Sequence, residues 1–323
     1  MSGNSTVERT LRNFARACGG RLEGGDRAFA GVSSDSRTLS AGDLFVALRG
    51  PRFNGNEFVG AALAAGAAAA LVDAPQPLAL AQIVVADTQA ALSRAGNAWR
   101  EALDIPVIAV AGSNGKTTAK EMTAAILSRA GSTLATRGNL NNHIGVPLTL
   151  LRLEAAHRFA VIEMGANRAG EVAELVRVAR PTVGLITNAG AEHLEGFGSL
   201  EGVARAEGET VAGLSADATA VLNADDDFVR LWRGMTPARV VTFGIANAAD
   251  FRASDLRTTL GKEGFLTRFR FSSPLGEAQV ELHVCGRHNV ANALGAAAAA
   301  AAAGATLEHI VTGLGAMRAV PGR

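Results

Sequence analysis

Residues 107–118 constrain the fold more than any other part of the chain, and their sequence is VIAVAGSNGKTT. An apolar, β-branched run ends at Gly112 and an amphipathic segment begins at Lys116, which predicts a buried strand, a tight glycine loop and the start of a helix. The N–H groups of such a loop and of the helix N-terminus point toward one position, where they can bind an anion. The segment therefore predicts a phosphate-binding loop.

The residue types in this loop suit a nucleotide. Gly112 and Gly115 let the backbone approach an anion without a Cβ in the way. Lys116 would contact the β- and γ-phosphates, and the Thr117 hydroxyl would bind Mg²⁺. The spacing between the glycines is shorter than in the common motif, and a Gly-Lys-Thr tripeptide also occurs at ordinary helix N-termini. With a strand before it and a helix after it, the loop favours nucleotide binding. The predicted nucleotide-binding residues of the loop are Gly112, Ser113, Asn114, Gly115, Lys116, Thr117 and Thr118.

Composition argues against several functional classes. The 323 residues include 31 basic and 30 acidic residues, which leaves a net charge of +1, so we expect no nucleic-acid partner. The two cysteines lie far apart and lack metal-ligand spacing, which indicates a reducing compartment. The N-terminus has no apolar signal-peptide core, and no apolar run is long enough to span a membrane. We therefore expect a cytoplasmic protein that binds a small charged ligand, and we expect it to be a monomer.

The order of predicted elements indicates an α/β protein with two domains. A small N-terminal α/β domain would span residues 1–87. Strands alternate with helices over 88–319, which predicts a P-loop-type central domain with a mostly parallel sheet flanked by helices. A helix capped by Thr88 would begin this second domain. Between Phe251 and Val284 the apolar pattern changes to period two, which predicts an antiparallel ribbon attached to the sheet.

Polar residues follow two predicted strands of the central domain. Glu163 ends one strand, and His193 follows the next one. Loops beyond the carboxyl ends of parallel strands bind ligands in α/β sheets, so each residue is a candidate metal ligand; the alternatives are the ordinary end of a buried strand and a histidine with a structural hydrogen bond. The Asn- and Gly-rich segment 136–147 is either a turn or a ligand-binding loop.

Two further clusters have an ordinary explanation and a functional one. Residues 31–38 of the first domain, with the sequence GVSSDSRT, are either turn residues before a strand or a ligand site. The predicted helix from Leu200 to about Leu214 carries Glu207 and Glu209, which are typical of a solvated helix face.

Five sequence blocks, in this order, resemble the Mur ligases of peptidoglycan synthesis. The combinations NNHIGVP and HLEGFG resemble the members of that family that add D-Ala-D-Ala. The resemblance extends from about Gly31 to the last residue. The blocks are residues 32–37 with the GDLFVAL that follows, the GSNGKTT loop, and residues 138–147, 188–198 and 286–294.

The resemblance implies an ATP-dependent amide ligase. Such an enzyme would transfer the γ-phosphoryl group of ATP to the terminal carboxylate of a UDP-N-acetylmuramoyl tripeptide, and the amine of D-Ala-D-Ala would displace phosphate from that acyl phosphate. The resemblance implies catalytic roles for Lys116, Glu163 and His193. It implies that Mg²⁺ is held by Thr117, Glu163 and His193.

The resemblance also implies two sets of binding residues. His288 and Asn289 would contact the adenine and ribose of ATP. Residues of the first domain would hold the UDP end of the substrate, and the Asn-rich segment would contribute further contacts. The implied substrate-binding residues are Ser34, Asp35, Ser36, Arg37, Asn54, Asn139 and Asn142.

The sequence departs from the family pattern at one catalytic position. Many Mur ligases carry a lysine in the helix after the histidine, and its carbamylation presents a carboxylate to the second metal ion. This chain has Glu207 at that place, and its nearest lysines are Lys120 and Lys262. We expect Glu207 to supply the carboxylate directly, as a catalytic residue whose action does not need carbon dioxide; the alternative is a surface glutamate.

A second departure concerns the third domain of the family, which binds the incoming amine. No segment of this sequence matches it, and residues 320–323 would be its first residues. We therefore expect little or no ligase turnover from this chain alone. The alternative functions are another Mur ligase, such as the one that adds the third peptide residue, and a non-catalytic module that binds a UDP-sugar or a nucleotide.

Overall fold

A computed structural model describes residues 8–51, 53–191, 194–261 and 264–318. Its internal contacts divide the chain into two compact units. Unit 1 consists of the residues up to 104 together with 143–155, and unit 2 consists of 105–142 together with the residues from 156 onward. Both units combine strands with helices, so the predicted α/β class is confirmed.

Unit 1 contains a five-stranded sheet with the strand order β1-β7-β6-β3-β2. Its strands are parallel except β1, which is antiparallel to β7. A short antiparallel hairpin, β4–β5, lies outside this sheet. The elements up to residue 104 are α1 (Leu11–Cys18), β1 (Arg21–Glu23), β2 (Val32–Ser33), β3 (Leu44–Val46), β4 (Arg49–Gly50), β5 (Phe53–Asn54), a 3₁₀ helix (Gly55–Phe58), α2 (Val59–Ala64), β6 (Ala69–Val72), β7 (Ala81–Val84) and α3 (Thr88–Glu101).

The remaining elements are those of unit 2, with the exception of α5, which belongs to unit 1. In chain order they are α4 (Lys116–Ala130), α5 (Gly145–Leu150), α6 (Glu171–Ala179), α7 (Leu194–Phe197), α8 (Leu200–Ala212), α9 (Val229–Met235), α10 (Arg287–Ala302) and α11 (Leu307–Ala316). The strands are β8 (Val107–Ala111), β9 (Thr133–Ala135), β10 (Phe159–Glu163), β11 (Val183–Ile186), β12 (Thr219–Asn223), β13 (Arg239–Gly244), β14 (Phe251–Gly261), β15 (Gly264–Ser273) and β16 (Gly276–Leu282).

Helix α3 lies in unit 1, whereas the boundary predicted at residue 87 placed it in the second domain. One of its faces packs against α1 and α5, and the indole of the buried Trp99 donates a hydrogen bond to Leu153 O at 3.3 Å. Asp87, and not the predicted Thr88, caps the helix. The Thr88 hydroxyl donates to Ala47 O within unit 1. The apolar face of α3 is therefore buried by elements of unit 1, which the local sequence pattern does not reveal.

The sheet of unit 2 has nine strands in the order β16-β15-β14-β13-β12-β11-β8-β10-β9. Strands β8 to β13 are parallel, and β14 is parallel to β13. Strands β14 to β16 form the antiparallel part, as the period-two pattern predicted. All residues of β8 are buried, which explains its uninterrupted apolar sequence, because parallel strands in such sheets are covered on both faces.

Helices cover both faces of this sheet. On one face α4, α10 and α11 pack together, and their core includes Ile126, Leu294 and Ile310. The small side chains of α10 are almost all buried, so its backbone lies close to α4 and to the strands. On the other face α8 and α9 pack around Trp232. Among the described helices, none combines the length and the apolar run that a membrane crossing needs.

The topology fixes where a ligand can bind. From β8 the chain passes through α4 to β9, toward one edge of the sheet. From β11 it passes through α8 to β12, toward the opposite edge. Adjacent parallel strands whose connections run in opposite directions form a crevice at their carboxyl ends. In unit 2 this crevice lies beyond Ala111 and Ile186, at the predicted phosphate-binding loop.

A substitution at Gly313 tests the packing of α11 against α4. A Cβ built on Gly313 of α11 would lie 2.5 Å from Ile126 Cα, so we expect Gly313→Ala to lower the free energy of unfolding by about 1–3 kcal/mol through overpacking. The matched control is Gly234→Ala in α9, because a methyl group there would have no neighbour from the described residues within 4 Å. We expect the control to keep or raise the stability, by up to about 1 kcal/mol. Urea unfolding measures both variants, and equal stabilities would contradict this description.

Candidate nucleotide-binding site

The loop between β8 and α4 requires glycine at two positions. Gly112 has φ of 121° and Gly115 has φ of 82°, a region that side chains rarely adopt. A Cβ on Gly112 would lie 2.2 Å from Thr187 Oγ1, and one on Gly115 would lie 2.4 Å from Asn292 Oδ1. Helix α4 begins at Lys116, as predicted. The two glycines therefore serve the shape of the loop as well as access to its backbone.

The start of α4 carries positive charge on the inside of the loop. The Lys116 side chain folds back, and its Nζ donates to Gly112 O and, at 2.9 Å, to Ser113 O. The N-cap residue of this 15-residue helix is Gly115, which offers no side chain for capping. The uncapped first turn and the ammonium group both bring positive charge to the loop, which suits a phosphate group.

The loop is held in place by the segment that follows β11. Ser113 N donates to Asn188 O at 2.9 Å, and Asn114 N donates to Asn188 Oδ1 at 3.0 Å. In the opposite direction, the Thr187 hydroxyl donates to Asn114 O at 2.7 Å and Gly190 N donates to Ser113 Oγ at 2.8 Å. The two residues between the glycines therefore brace the loop in this structure.

The end of β12 supports the same segment from its other side. Asn223 Nδ2 donates to Thr187 O at 2.9 Å, and Ala189 N donates to Asp226 Oδ2 at 2.9 Å. Burial raises the pKa of Asp226. The carboxyl ends of β8, β11 and β12 are thus joined by side-chain hydrogen bonds across the crevice.

Glu207 lies beneath the loop. Its side chain belongs to α8, the residue is 8% exposed, and its Oε2 accepts a hydrogen bond from Gly112 N at 2.7 Å. The interpretation of this helix face as solvated is therefore wrong for Glu207. Glu209 of the same helix accepts hydrogen bonds from Gly170 N and Ala173 N, at 2.7 and 3.0 Å, at the start of α6.

Glu163 ends β10 beside β8, level with Val110. The residue is 2% exposed, and its Oε1 accepts a hydrogen bond from Asn141 Nδ2 at 2.9 Å. Its Oε2 is buried and has no hydrogen-bond partner among the described residues. A buried carboxylate oxygen without a partner is unfavourable, and a hard divalent cation is the kind of ligand that satisfies it. The residue thus fits a metal ion.

The other predicted metal ligands give less information. Thr117 is half-buried in the first turn of α4. His193 lies outside the described residues. Within the described ranges there is no group of three or more His, Cys, Asp and Glu side chains that could hold a metal ion. The metal-ligand set, Glu163 included, therefore stays a prediction.

The start of α10 faces the loop through a residue that the sequence analysis missed. Asn292 is 6% exposed, and its amide occupies the space that a side chain at Gly115 would need. The predicted adenine-side residues lie one turn earlier: Asn289 Nδ2 donates to Cys285 O at 2.8 Å, and the exposed His288 ring lies against Gly286. The recurrence of Asn at positions 289 and 292 was the available signal, since residues three apart share a helix face.

The Asn-rich segment contacts Glu163 through Asn141, which was not among the predicted residues. Asn139 and Asn142 are exposed, and Asn139 O accepts a hydrogen bond from Asn141 N at 2.8 Å. Asn141 O in turn accepts from Gly165 N at 2.9 Å. The segment is therefore both an ordered turn and a support for the candidate metal ligand.

In unit 1 the predicted substrate-binding residues form a compact turn. Arg37 donates two side-chain hydrogen bonds to Asp35, at 2.9 and 2.7 Å, and these hold the pKa of Asp35 down at about 2. Ser34 and Ser36 are half-buried. Asn54 Oδ1 accepts from Asn56 N at 3.2 Å and caps the 3₁₀ helix. Turn chemistry accounts for these hydrogen bonds, and a role in substrate binding stays a prediction.

Two family models match the chain. The Mur ligase middle domain matches residues 110–300, and the model described as Mur ligase family, catalytic domain, matches residues 28–122. A curated relative from Escherichia coli (strain K12), named UDP-N-acetylmuramoyl-tripeptide--D-alanyl-D-alanine ligase, is 46% identical over 97% of this chain and 69% of its own length. The chain spans 60% to 69% of the length of the first four curated relatives.

Solved structures agree with the sequence comparison. A crystal structure of MurF from Acinetobacter baumannii matches 99% of this chain and 70% of its own, with a TM-score of 0.90 and 36% identity. A MurF ligase from Thermotoga maritima in complex with ADP matches 91% of this chain and 67% of its own, with a TM-score of 0.80 and 27% identity. Together with the family models, these matches establish that the chain belongs to the Mur ligase family.

Proposed function

We propose that this chain carries the nucleotide site and the UDP-substrate site of an ATP-dependent ligase that joins D-Ala-D-Ala to a UDP-N-acetylmuramoyl tripeptide. The names of its relatives support the substrates, and the Thermotoga neighbour is a complex with ADP. The observation that carries the proposal is the β8–α4 loop, with Lys116 folded over it. At the next strand end lies the Glu163 oxygen that has no hydrogen-bond partner among the described residues. The comparisons do not support the expectation of an inactive chain.

The residues of unit 2 match the demands of the reaction. A carboxylate oxygen of the tripeptide attacks the γ-phosphorus and ADP leaves; the amine of D-Ala-D-Ala then attacks the acyl carbon and phosphate leaves. Both partners in the first step are anions, so the site must neutralise charge and hold the groups in line. Lys116 and the N-terminus of α4 supply positive charge at the phosphates. Thr117 and Glu163 would hold Mg²⁺, which supplies further charge neutralisation when bound.

Unit 1 would hold the UDP end of the substrate. The Arg37 guanidinium is largely exposed and is paired with Asp35, and a diphosphate offers the same bidentate geometry as that carboxylate. Ser34, Ser36 and Asn54 would add hydrogen bonds to this group. Asn139 and Asn142 of unit 2 are exposed and would contact the substrate from the Asn-rich segment.

Glu207 would have two tasks at the nucleotide site. Its Oε2 fixes Gly112 N, and its negative charge would stand in for the carbamylated lysine of other family members.

Calorimetric titration of Lys116→Ala tests the nucleotide site. We expect wild-type protein to bind both the UDP-N-acetylmuramoyl tripeptide and a non-hydrolysable ATP analogue with Mg²⁺. In the variant we expect the nucleotide affinity to fall about 30- to 100-fold, because charge-assisted hydrogen bonds to phosphate are lost, while the affinity for the UDP-tripeptide stays unchanged. Circular dichroism checks the fold.

The result separates the alternatives. A binding-only module would hold the nucleotide equally well with and without Mg²⁺. Failure of the wild-type protein to bind either the UDP-tripeptide or UDP itself would contradict the assigned substrate.

Glu207→Gln tests the charge of this residue, since the amide oxygen can still accept the Gly112 N–H. We expect the Mg²⁺ concentration for half-maximal nucleotide affinity to rise about ten-fold, and the affinity without Mg²⁺ to stay unchanged. Glu209→Gln in the same helix is the matched control, because Glu209 contacts the start of α6, and we expect it to leave the Mg²⁺ dependence as in wild type. Stimulation of wild-type Mg²⁺-dependent binding by bicarbonate would contradict a direct role of the carboxylate.

A further inference from the structure

Lys120 is a buried cation that the proposed chemistry does not use. It lies one helical turn after Lys116 in α4 and has 0% of its surface exposed. Lysine is almost never fully buried, because removing the ammonium group from water is costly unless it is paired. Its Nζ donates to Glu121 Oε1 at 2.6 Å and to Thr136 O at 2.8 Å. The second contact joins α4 to the residue that follows β9.

Thr136 connects Lys120 with Glu163, the candidate metal ligand. Thr136 N donates to Val161 O at 3.0 Å and extends the pairing of β9 with β10. The Thr136 hydroxyl accepts a hydrogen bond from Glu163 N at 3.0 Å. The backbone of Glu163 is therefore held by Thr136, and the carbonyl of Thr136 is held by Lys120.

The segment that starts at Thr136 also holds the Glu163 carboxylate. Asn141 donates to Glu163 Oε1 at 2.9 Å, and Asn141 O accepts from Gly165 N. A Cβ on Gly165 would lie 3.0 Å from Asn141 Nδ2, so a glycine there permits the close approach. With Oε1 occupied in this way, Oε2 is the carboxylate oxygen left for a cation.

We propose that Lys120 is a positioning residue that sets Glu163 relative to the phosphate-binding loop. The inference rests on the proposed function and names a residue that acts through Thr136, not one that touches the nucleotide. Its physical basis is that one rigid helix carries Lys116 and Thr117 in its first turn and Lys120 in its second. A shift of the segment 136–141 against α4 would move Glu163 against Thr117, and the Lys120–Thr136 hydrogen bond opposes that shift.

The test is a titration with Mn²⁺ of the protein that holds a bound ATP analogue. Electron paramagnetic resonance measures the concentration of free Mn²⁺ and so gives the dissociation constant. Lys120→Met keeps an unbranched side chain that is one atom shorter, and it removes the charge and the hydrogen-bond donors. We expect the Mn²⁺ dissociation constant to rise about ten-fold, as for loss of a group that orients a metal ligand. We expect the affinity for the analogue without metal to change less than about three-fold, because Lys116 and the loop remain intact.

Two further variants separate positioning from simple packing. Thr136→Val removes the acceptor of Glu163 N and keeps Lys120, so we expect the same rise in the Mn²⁺ dissociation constant. In the double variant with Lys120→Met, we expect the two effects to be non-additive. Glu121→Gln is the matched control. The Glu121 side chain, which is 42% exposed, is the charged partner of Lys120. The substitution removes this charge and keeps the contact of Lys120 to Thr136, so we expect wild-type Mn²⁺ binding. Glu163→Gln gives the effect of losing the ligand itself.

The outcomes decide between the two proposals. If Lys120→Met melts like wild type and binds Mn²⁺ as wild type does, the inference is overturned. If Lys120→Met does not fold, Thr136→Val decides in the same way. If wild-type protein binds the analogue without any effect of Mn²⁺ or Mg²⁺, the proposed function fails, and the inference fails with it. If Mn²⁺ raises the affinity of wild-type protein for the analogue and no variant changes the binding of Mn²⁺, the inference is overturned and the proposed function stands.

Discussion

The close contact between Gly112 and Thr187 is the constraint on which the site depends. A side chain at position 112 would lie 2.2 Å from Thr187 Oγ1, so the tail of β11 can reach the loop only because the loop has a glycine there. That approach allows the hydrogen bonds of Ser113 and Asn114 to Thr187, Asn188 and Gly190. The loop is thereby fixed by the segment that follows the neighbouring strand.

The other elements of unit 2 hold this contact in place and position polar side chains around it. Burial of β8 between β10 and β11 places Glu163 on one side of the loop and the 187–190 segment on the other. Helix α10 presses Asn292 against Gly115 from the first face of the sheet, and α8 brings Glu207 to Gly112 from the second. Groups from β10, from the segment after β11, from α8 and from α10 thus lie around one β8–α4 turn.

The local sequence predicted what depends on local pattern. The run VIAVA, the glycines and the start of α4 at Lys116 follow from apolar periodicity and turn chemistry, and the change to period two at Phe251 marks the antiparallel strands. The resemblance to the family added candidate residues, such as Glu207, that the periodicity alone assigned to a solvated face.

Long-range contacts could not be predicted in this way. Glu207 and Gly112 are 95 residues apart, and the order of strands, not the pattern of α8, brings them together. The contacts of Asn141 and Lys120 depend on how the segment after β9 packs on α4, which no periodicity encodes. The same holds for α3, whose apolar face fits either domain until α1 and α5 are seen to cover it.

The most direct test of the nucleotide site is peptide-resolved hydrogen exchange of the wild-type chain with and without Mg²⁺ and a non-hydrolysable ATP analogue. If the β8–α4 turn is the nucleotide site, the ligand should slow exchange in residues 112–120, in 136–142 and 187–190, and at the start of α10, because these segments share one hydrogen-bonded crevice. Protection confined to other segments, or no protection at 112–120 at saturating ligand, would contradict it.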